Sequence, residues 1–166
     1  MATAGEDDTP PPVWVAGGSQ LAHDTSPEFG GMHPNVLQRI ARGDGWIARP
    51  TCPPDLIAKD LDEIQAARGA ARPPITVAHE NFTWIDESTD RDAVLRNQQA
   101  RFGAIVSDER PWDYVEQVYM PGTIDDIQTK VQARIDVGVE YLMLHTLTAD
   151  IDQVRLIAEH IVKPFS

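Results

Sequence analysis

The sequence has a single cysteine, Cys52, among its 166 residues. One thiol excludes both an intrachain disulfide and a metal site built from several cysteines. Basic residues are also scarce, with 14 Lys+Arg against 26 Asp+Glu and a formal net charge of -12. Nucleic acids and anionic membranes are bound by clustered positive charge, so this balance argues against both as partners.

Long apolar runs are missing as well. No stretch approaches the roughly 20 apolar residues of a membrane-spanning helix. The N-terminus is acidic where a secretory signal would carry Lys or Arg before an apolar segment. The 5 histidines match neither His-x-His nor His-Glu-x-x-His, so no metal site is predicted. These absences predict a soluble, cytoplasmic domain with no membrane or nucleic-acid partner.

The hydrophobic pattern predicts alternating strands and helices. Residues 1–12 are acidic and proline-rich and predict a disordered leader, and residues 13–166 form one domain. Short apolar runs predict strands at 13–18, 45–49, 75–85 and 139–147. Residues 13–16 and 139–147 are apolar enough to predict strands covered on both faces.

Helical patterns lie between these strands, in the ranges 34–43, 54–69, 89–102, 123–138 and 150–162, while residues 111–120 remain ambiguous. Thr123 is the predicted N-cap of one helix, with Asp126 completing a variant capping box. The order β-α-β-α-β-α-α-β-α predicts a parallel sheet with right-handed crossovers. About four strands make either half of an eight-stranded barrel or a small open sheet.

Several short motifs then point to a family. They are Gly17-Gly18-Ser19 after the first strand, Leu37 with Ala41-Arg42, Asp44-Gly45-Trp46, and Gly122-Thr123. In this order and spacing they resemble the C-terminal half of luciferase-like flavin-dependent monooxygenases, over nearly everything from Pro11 onward. Ile124-Asp125 depart from the Pro-Glu of that family, and the resemblance does not extend to the N-terminal half of that family's barrel. The resemblance implies a parallel α/β fold, half of a TIM-type barrel, with FMN or the deazaflavin F420 as cofactor.

The resemblance also implies a site at the C-terminal ends of the strands. Gly17, Gly18, Ser19 and Gln20 are expected to hold the flavin phosphate, because glycines let the backbone approach an anion and Ser19 adds a hydroxyl donor. The alternative is an ordinary turn. Arg49, just past the second strand, is expected either to pair with a phosphate or to be solvated.

Two histidines are candidate catalytic residues. His145, near the end of the last strand, and His79, on the third, would act as proton carriers near neutral pH. The alternative for each is a packing role. His79 and Glu80 are neighbours on one strand and are expected to point to opposite faces. Trp46 is predicted to be a core residue.

The leading hypothesis is a subunit or fragment of a flavin- or F420-dependent oxidoreductase that acts on a small organic substrate. The alternatives are a non-catalytic half-barrel that binds a flavin phosphate or a partner chain, and a truncated product without a function of its own. Four strands cannot close a barrel, so unpaired edges and inward-facing apolar side chains are expected. They predict association with a complementary N-terminal half-barrel chain or with a second copy. The choice between FMN and F420, and the substrate itself, stay open.

Overall fold

The computed structural model describes residues 10–19, 21, 31–106 and 110–166. Their strands form one four-stranded parallel sheet in chain order: β1 (Trp14–Gly17), β2 (Gly45–Ala48), β3 (Thr76–Thr83) and β4 (Tyr141–Thr146). The predicted parallel α/β architecture is therefore confirmed. Residues 1–9 of the predicted leader lie outside the described residues, and residues 10–12 are exposed.

The helices follow the predicted pattern, with one addition. They are α1 (Pro34–Arg42), α2 (Pro54–Arg68), α3 (Arg91–Val106), α4 (Trp112–Val118), α5 (Ile124–Asp136) and α6 (Ile151–Ile157). The ambiguous segment 111–120 contains α4, so three helices separate β3 from β4, not the expected two. After α6 the chain continues through a π-helical turn, Ala158–Val162, and a 3-10 turn, Lys163–Phe165. None of the described helices has the length and apolar character needed to cross a membrane.

The predicted capping box at the start of α5 is present. The Thr123 hydroxyl accepts a hydrogen bond from the backbone N–H of Asp126 at 3.3 Å. The Asp126 carboxylate accepts one from the backbone N–H of Thr123 at 3.0 Å. Two backbone donors that the first turn of a helix leaves unpaired are thus satisfied.

One face of the sheet is packed against helices. Ile40 of α1 and Ile57 of α2 join Trp46 and Val77 in one buried cluster, which confirms Trp46 as a core residue. A second cluster combines α5 and α6 with Leu142 and other residues of the β4 region. The register of the parallel strands pairs Trp46 with Val77, so both side chains point to the helix-packed face. Because successive side chains of a strand point to opposite faces, the residues next to them point to the other face of the sheet.

The opposite face, here called the open face, carries Trp14, Ala16, Ile47, Ala78, Glu80, Phe82, Tyr141, Met143 and His145. Tyr141 is 57% and Met143 38% exposed on it. The expectation that β1 and β4 are covered on both faces is therefore wrong. The apolar sequence of a strand indicates that the strand suits apolar surroundings on both faces. Among the described residues, helices α1, α2, α5 and α6 supply such surroundings to β1 and β4 on one face alone.

Helices α3 and α4 lie at the C-terminal end of β3. Their aromatic residues form a third cluster, in which Phe82 of the open face takes part. Gln98 of α3 is fully buried, and its amide donates to the carbonyls of Trp84 and Gly122 and accepts from the N–H of Gly122. Gln98 thereby fixes the loop before α5 against the end of β3, which shapes this end of the sheet.

Candidate functional site

All four strands are parallel, so their C-terminal ends meet at one edge of the sheet, where barrel enzymes place their active sites. Gly17, Gly18 and Ser19 follow β1 there, and Arg49 follows β2. The C-terminal parts of β3 and β4 add Glu80 and His145, among other residues. Gln20, the remaining predicted cofactor-binding residue, lies outside the described residues.

The turn after β1 is occupied by a carboxylate of this chain. Asp60, on α2, accepts the backbone N–H of Ser19 on Oδ2 at 2.7 Å and the Ser19 hydroxyl on Oδ1 at 2.5 Å. Ser19 is 2% exposed and Asp60 0%. The Ser19 hydroxyl, which was expected to hold a phosphate, and the Ser19 backbone N–H are therefore engaged within the protein.

The two glycines of this turn have a packing explanation. Gly17 and Gly18 have φ angles of 153° and 141°, a region that side chains disfavour. A Cβ on Gly17 would stand 2.7 Å from Val36 Cγ1, and one on Gly18 would stand 3.1 Å from Asp60 Oδ2. The indole N–H of Trp46 also donates to the Gly17 carbonyl, at 2.9 Å. The turn as described thus does not suit a phosphate, because both donors of Ser19 are used and the space beside its glycines is filled.

Sequence reasoning missed Asp60, although a signal was present. Asp60 stands between Ile57 and Ile64, at helical spacing from both, and so lies on the buried face of α2. An acidic residue on that face needs a hydrogen-bonding partner in the core. Burial raises the pKa of Asp60, and the two hydrogen bonds from Ser19 oppose that rise.

Cys52 lies next to this region as a fully buried thiol. Burial, reinforced by the nearby Asp60 carboxylate, raises the pKa of Cys52 to about 12. Since the thiolate is the nucleophilic form, Cys52 is a packing residue at neutral pH.

Arg49 lies just past β2 and is half-buried. Its backbone carbonyl is hydrogen-bonded to the His79 ring, with Nε2 and the oxygen 3.0 Å apart. Within the described part of the chain, no hydrogen bond to its guanidinium is found. Of the predicted cofactor-binding residues that the structure describes, Arg49 is therefore the one whose side chain suits an external phosphate.

The structure places His79 on the helix-packed face. It is 0% exposed, and its Nδ1 accepts a hydrogen bond from Arg134 Nε of α5 at 3.1 Å. Burial, reinforced by the positive charge of Arg134, lowers the pKa of His79 to about 3. His79 is thus neutral at ordinary pH, and it points away from the open face on which His145 stands.

His145 stands on the open face beside Glu80. Its Nε2 lies 3.2 Å from Glu80 Oε1, and the two side chains are 49% and 37% exposed. The ring of Phe82 lies alongside the imidazole, with centroids 5.3 Å apart. The expected divergence of His79 and Glu80 is confirmed, and the structure joins His145 to Glu80 instead of to His79.

An aromatic wall continues from this pair. Tyr119, just after α4, contacts Phe82 edge to face at 5.8 Å and stacks on Phe102 of α3 at 5.9 Å. Arg110 donates to the hydroxyl groups of Tyr114 and Tyr119. The imidazole–carboxylate pair therefore has an exposed polar side and an aromatic ring, that of Phe82, beside it.

No protein-family model matches the chain, and no curated protein does either. Solved structures do match. An F420-dependent secondary alcohol dehydrogenase, in complex with an F420-acetone adduct, superposes with a TM-score of 0.67 at 14% identity. The coenzyme F420-dependent tetrahydromethanopterin reductase from Methanopyrus kandleri gives 0.62 at 16%, and the monooxygenase RslO1 from Streptomyces bottropensis 0.61 at 17%.

These matches cover 93%, 93% and 94% of this chain but 49%, 51% and 49% of the matched chains. The chain therefore has the fold of about half of each matched structure. The predicted fold class, a parallel half-barrel, is thereby confirmed, and the resemblance is supported at the level of the fold. At these low identities the likeness concerns the fold, and the activity of this half-barrel is a matter for proposal.

Proposed function

We propose that this chain is one half of a barrel oxidoreductase that, once completed, transfers electrons between a small organic substrate and FMN or F420. The fold supports the general kind of protein, since the matched structures include a dehydrogenase, a reductase and a monooxygenase. The observation that carries the proposal is the Glu80–His145 pair on the open face. In a closed barrel this face becomes the interior, and its C-terminal end faces the active site.

The pair is suited to moving a proton at the substrate. An imidazole can both donate and accept a proton, and a carboxylate on one ring nitrogen orients the ring. Because Nε2 of His145 faces Glu80, Nδ1 is the atom that would meet a substrate hydroxyl or carbonyl. Phe82, packed against the imidazole, limits its rotation. The cofactor would supply the redox chemistry, and this chain would supply the proton.

The cofactor and the second half complete the proposal. FMN and F420 both carry a phosphate, and Arg49 is the residue proposed to meet it. Because Ser19 is engaged by Asp60, most of the cofactor contacts would come from a complementary N-terminal half-barrel. The exposed Tyr141 and Met143 are proposed to pack against that half.

A second candidate is a non-catalytic half-barrel that binds a partner chain. The turn after β1 favours this second candidate, because the Ser19 donors are bonded to Asp60 and are not free to contact a cofactor phosphate. The two functions differ in what the Glu80–His145 pair does: the non-catalytic half-barrel makes no use of its proton.

The test compares His145→Gln with His160→Gln, a histidine of the C-terminal π-helical turn. The purified chain, alone and with a complementary half-barrel, is titrated with FMN and with F420 by absorbance, and the bound cofactor is then offered small alcohols and oxygen. We expect His145→Gln to keep cofactor affinity and to slow cofactor turnover more than 10²-fold, the usual range for a lost acid–base group, while His160→Gln changes neither. Equal rates in both variants would favour the non-catalytic half-barrel.

A further inference from the structure

We propose that the turn after β1 is an anion site occupied by the protein itself, with Asp60 in the place that a ligand phosphate would take. This inference stands apart from the proposed oxidoreductase function, because it concerns a group on α2 and makes no use of the Glu80–His145 pair. It predicts that the turn rejects external phosphate while Asp60 is present and accepts small anions once Asp60 is removed.

The hydrogen bonds are those of an anion site. A strand-end turn binds a phosphate through backbone N–H groups and a hydroxyl that converge on neighbouring oxygens. Here the N–H and the hydroxyl of Ser19 converge on the two oxygens of one carboxylate, at 2.7 and 2.5 Å. Hydrogen bonds to a charged acceptor are stronger than neutral ones, so Ser19 and Asp60 form a strong buried contact.

The described residues around Ser19 leave little space for a second anion. Asp60 is fully buried, and its Oδ2 lies 3.1 Å from where a Cβ of Gly18 would stand. Trp46 Cζ2 lies 3.5 Å from the same point. A phosphate brought to Ser19 would therefore meet the Asp60 carboxylate at close range in a poorly solvated place, where like charges repel strongly.

The contact also has a structural purpose. Ser19 and Asp60 are 41 residues apart, so their hydrogen bonds tie the end of β1 to α2. The Trp46 indole holds the Gly17 carbonyl of the same turn from β2. The turn is thus anchored from two elements by groups of this chain, and an internal carboxylate does for it what a bound phosphate would otherwise do.

The experiment is an anion rescue of the full chain. Asp60→Ala frees the Ser19 donors and leaves a space, so we expect a lower Tm that formate or inorganic phosphate raises saturably. Asp62→Ala, on the exposed side of the same helix, is the matched control. The wild type and this control should show only the small, non-saturating rise that phosphate gives any protein. Adding Ser19→Ala to Asp60→Ala should weaken the rescue, because it removes the hydroxyl and leaves only the backbone N–H.

Two results would overturn the proposal. One is a saturable stabilisation of the wild type by phosphate that Ser19→Ala removes, because the turn would then accept an external anion beside Asp60. The other is an Asp60→Ala chain that neither anion stabilises. If Asp60→Ala does not fold in buffer alone, the yield of folded chain after refolding with and without formate replaces Tm, and Asp60→Ser is measured in parallel.

Discussion

The indole of Trp14 meets the ring of Tyr141 edge to face, with centroids 5.6 Å apart and planes at 77°. The two residues stand on β1 and β4, the edge strands of the sheet, and β2 and β3 lie between them. Strands are about 4.8 Å apart, so a flat sheet would separate the two edge strands by roughly 14 Å. Long side chains bridge such a gap on a concave face, as expected for a sheet that curves like part of a barrel.

Gly45 makes this contact possible. A Cβ at Gly45 would stand 2.4 Å from the Trp14 ring, so the indole crosses β2 directly over this glycine. We expect Gly45→Ala to displace Trp14 and to cost about 1–3 kcal/mol of unfolding free energy, the usual range for overpacking.

A double-mutant cycle checks the Gly45→Ala prediction, with stability followed by denaturant unfolding and the ring environment by near-ultraviolet circular dichroism. If the cost arises from Trp14, Gly45→Ala should be nearly neutral in a Trp14→Ala background. An equal cost in both backgrounds would show that the added methyl strains something else.

The architecture was largely predictable because it depends on local patterns. The apolar run at 45–49, Pro54 at the start of α2 and the Thr123–Asp126 box each signal an element boundary within a few residues. The site was harder to predict, because its contacts join distant segments. His145 meets Glu80 through the register of β3 and β4, and Asp60 reaches Ser19 across 41 residues.

Burial of the neutral His79 ring should make the stability of the fold depend on pH. Its pKa is lowered from 6.5 to about 3 in the folded chain, so between these pH values the unfolded chain binds the extra proton. Stability should therefore fall as pH drops from about 6.5 towards 3, by up to about 1.4 kcal/mol per pH unit from this group. His79→Gln keeps an acceptor for Arg134 and removes the titration. We expect urea-unfolding curves across this range to show a shallower pH dependence for the variant, and parallel curves would contradict the assignment.

Loss of the Thr123 cap at the start of α5 should lower the free energy of unfolding. Thr123→Ala removes the hydroxyl that accepts the Asp126 N–H, so about 1 kcal/mol of stability should be lost. Thr129→Ala is the matched control, because Thr129 is exposed on the same helix and its hydroxyl bonds only the Asp125 carbonyl among the described residues. Thermal unfolding of both variants tests this prediction. Equal losses of stability would mean that the cap adds nothing beyond the ordinary effect of a Thr→Ala substitution.

The open face predicts association. Trp14, Tyr141 and Met143 expose apolar surface on it, and β1 and β4 each have one partner strand within the described sheet. Unpaired strand edges beside an apolar face favour pairing with another chain. A second copy can meet this need when no complementary half is present, because two four-stranded parallel sheets related by a two-fold axis along the strands can place β4 of each beside β1 of the other.

We therefore expect light scattering of the purified chain at micromolar concentration to show species heavier than 18.4 kDa. Because a net charge of -12 makes copies repel, added salt should strengthen the association. Met143→Lys, which charges the open face, should shift the chain towards the monomer. Ile151→Lys is the control, since Ile151 lies on α6 and is 77% exposed against 38% for Met143. If exposed apolar area alone drove association, Ile151→Lys would have the larger effect; if the open face drives it, Met143→Lys will. A monomer throughout the salt series would contradict both.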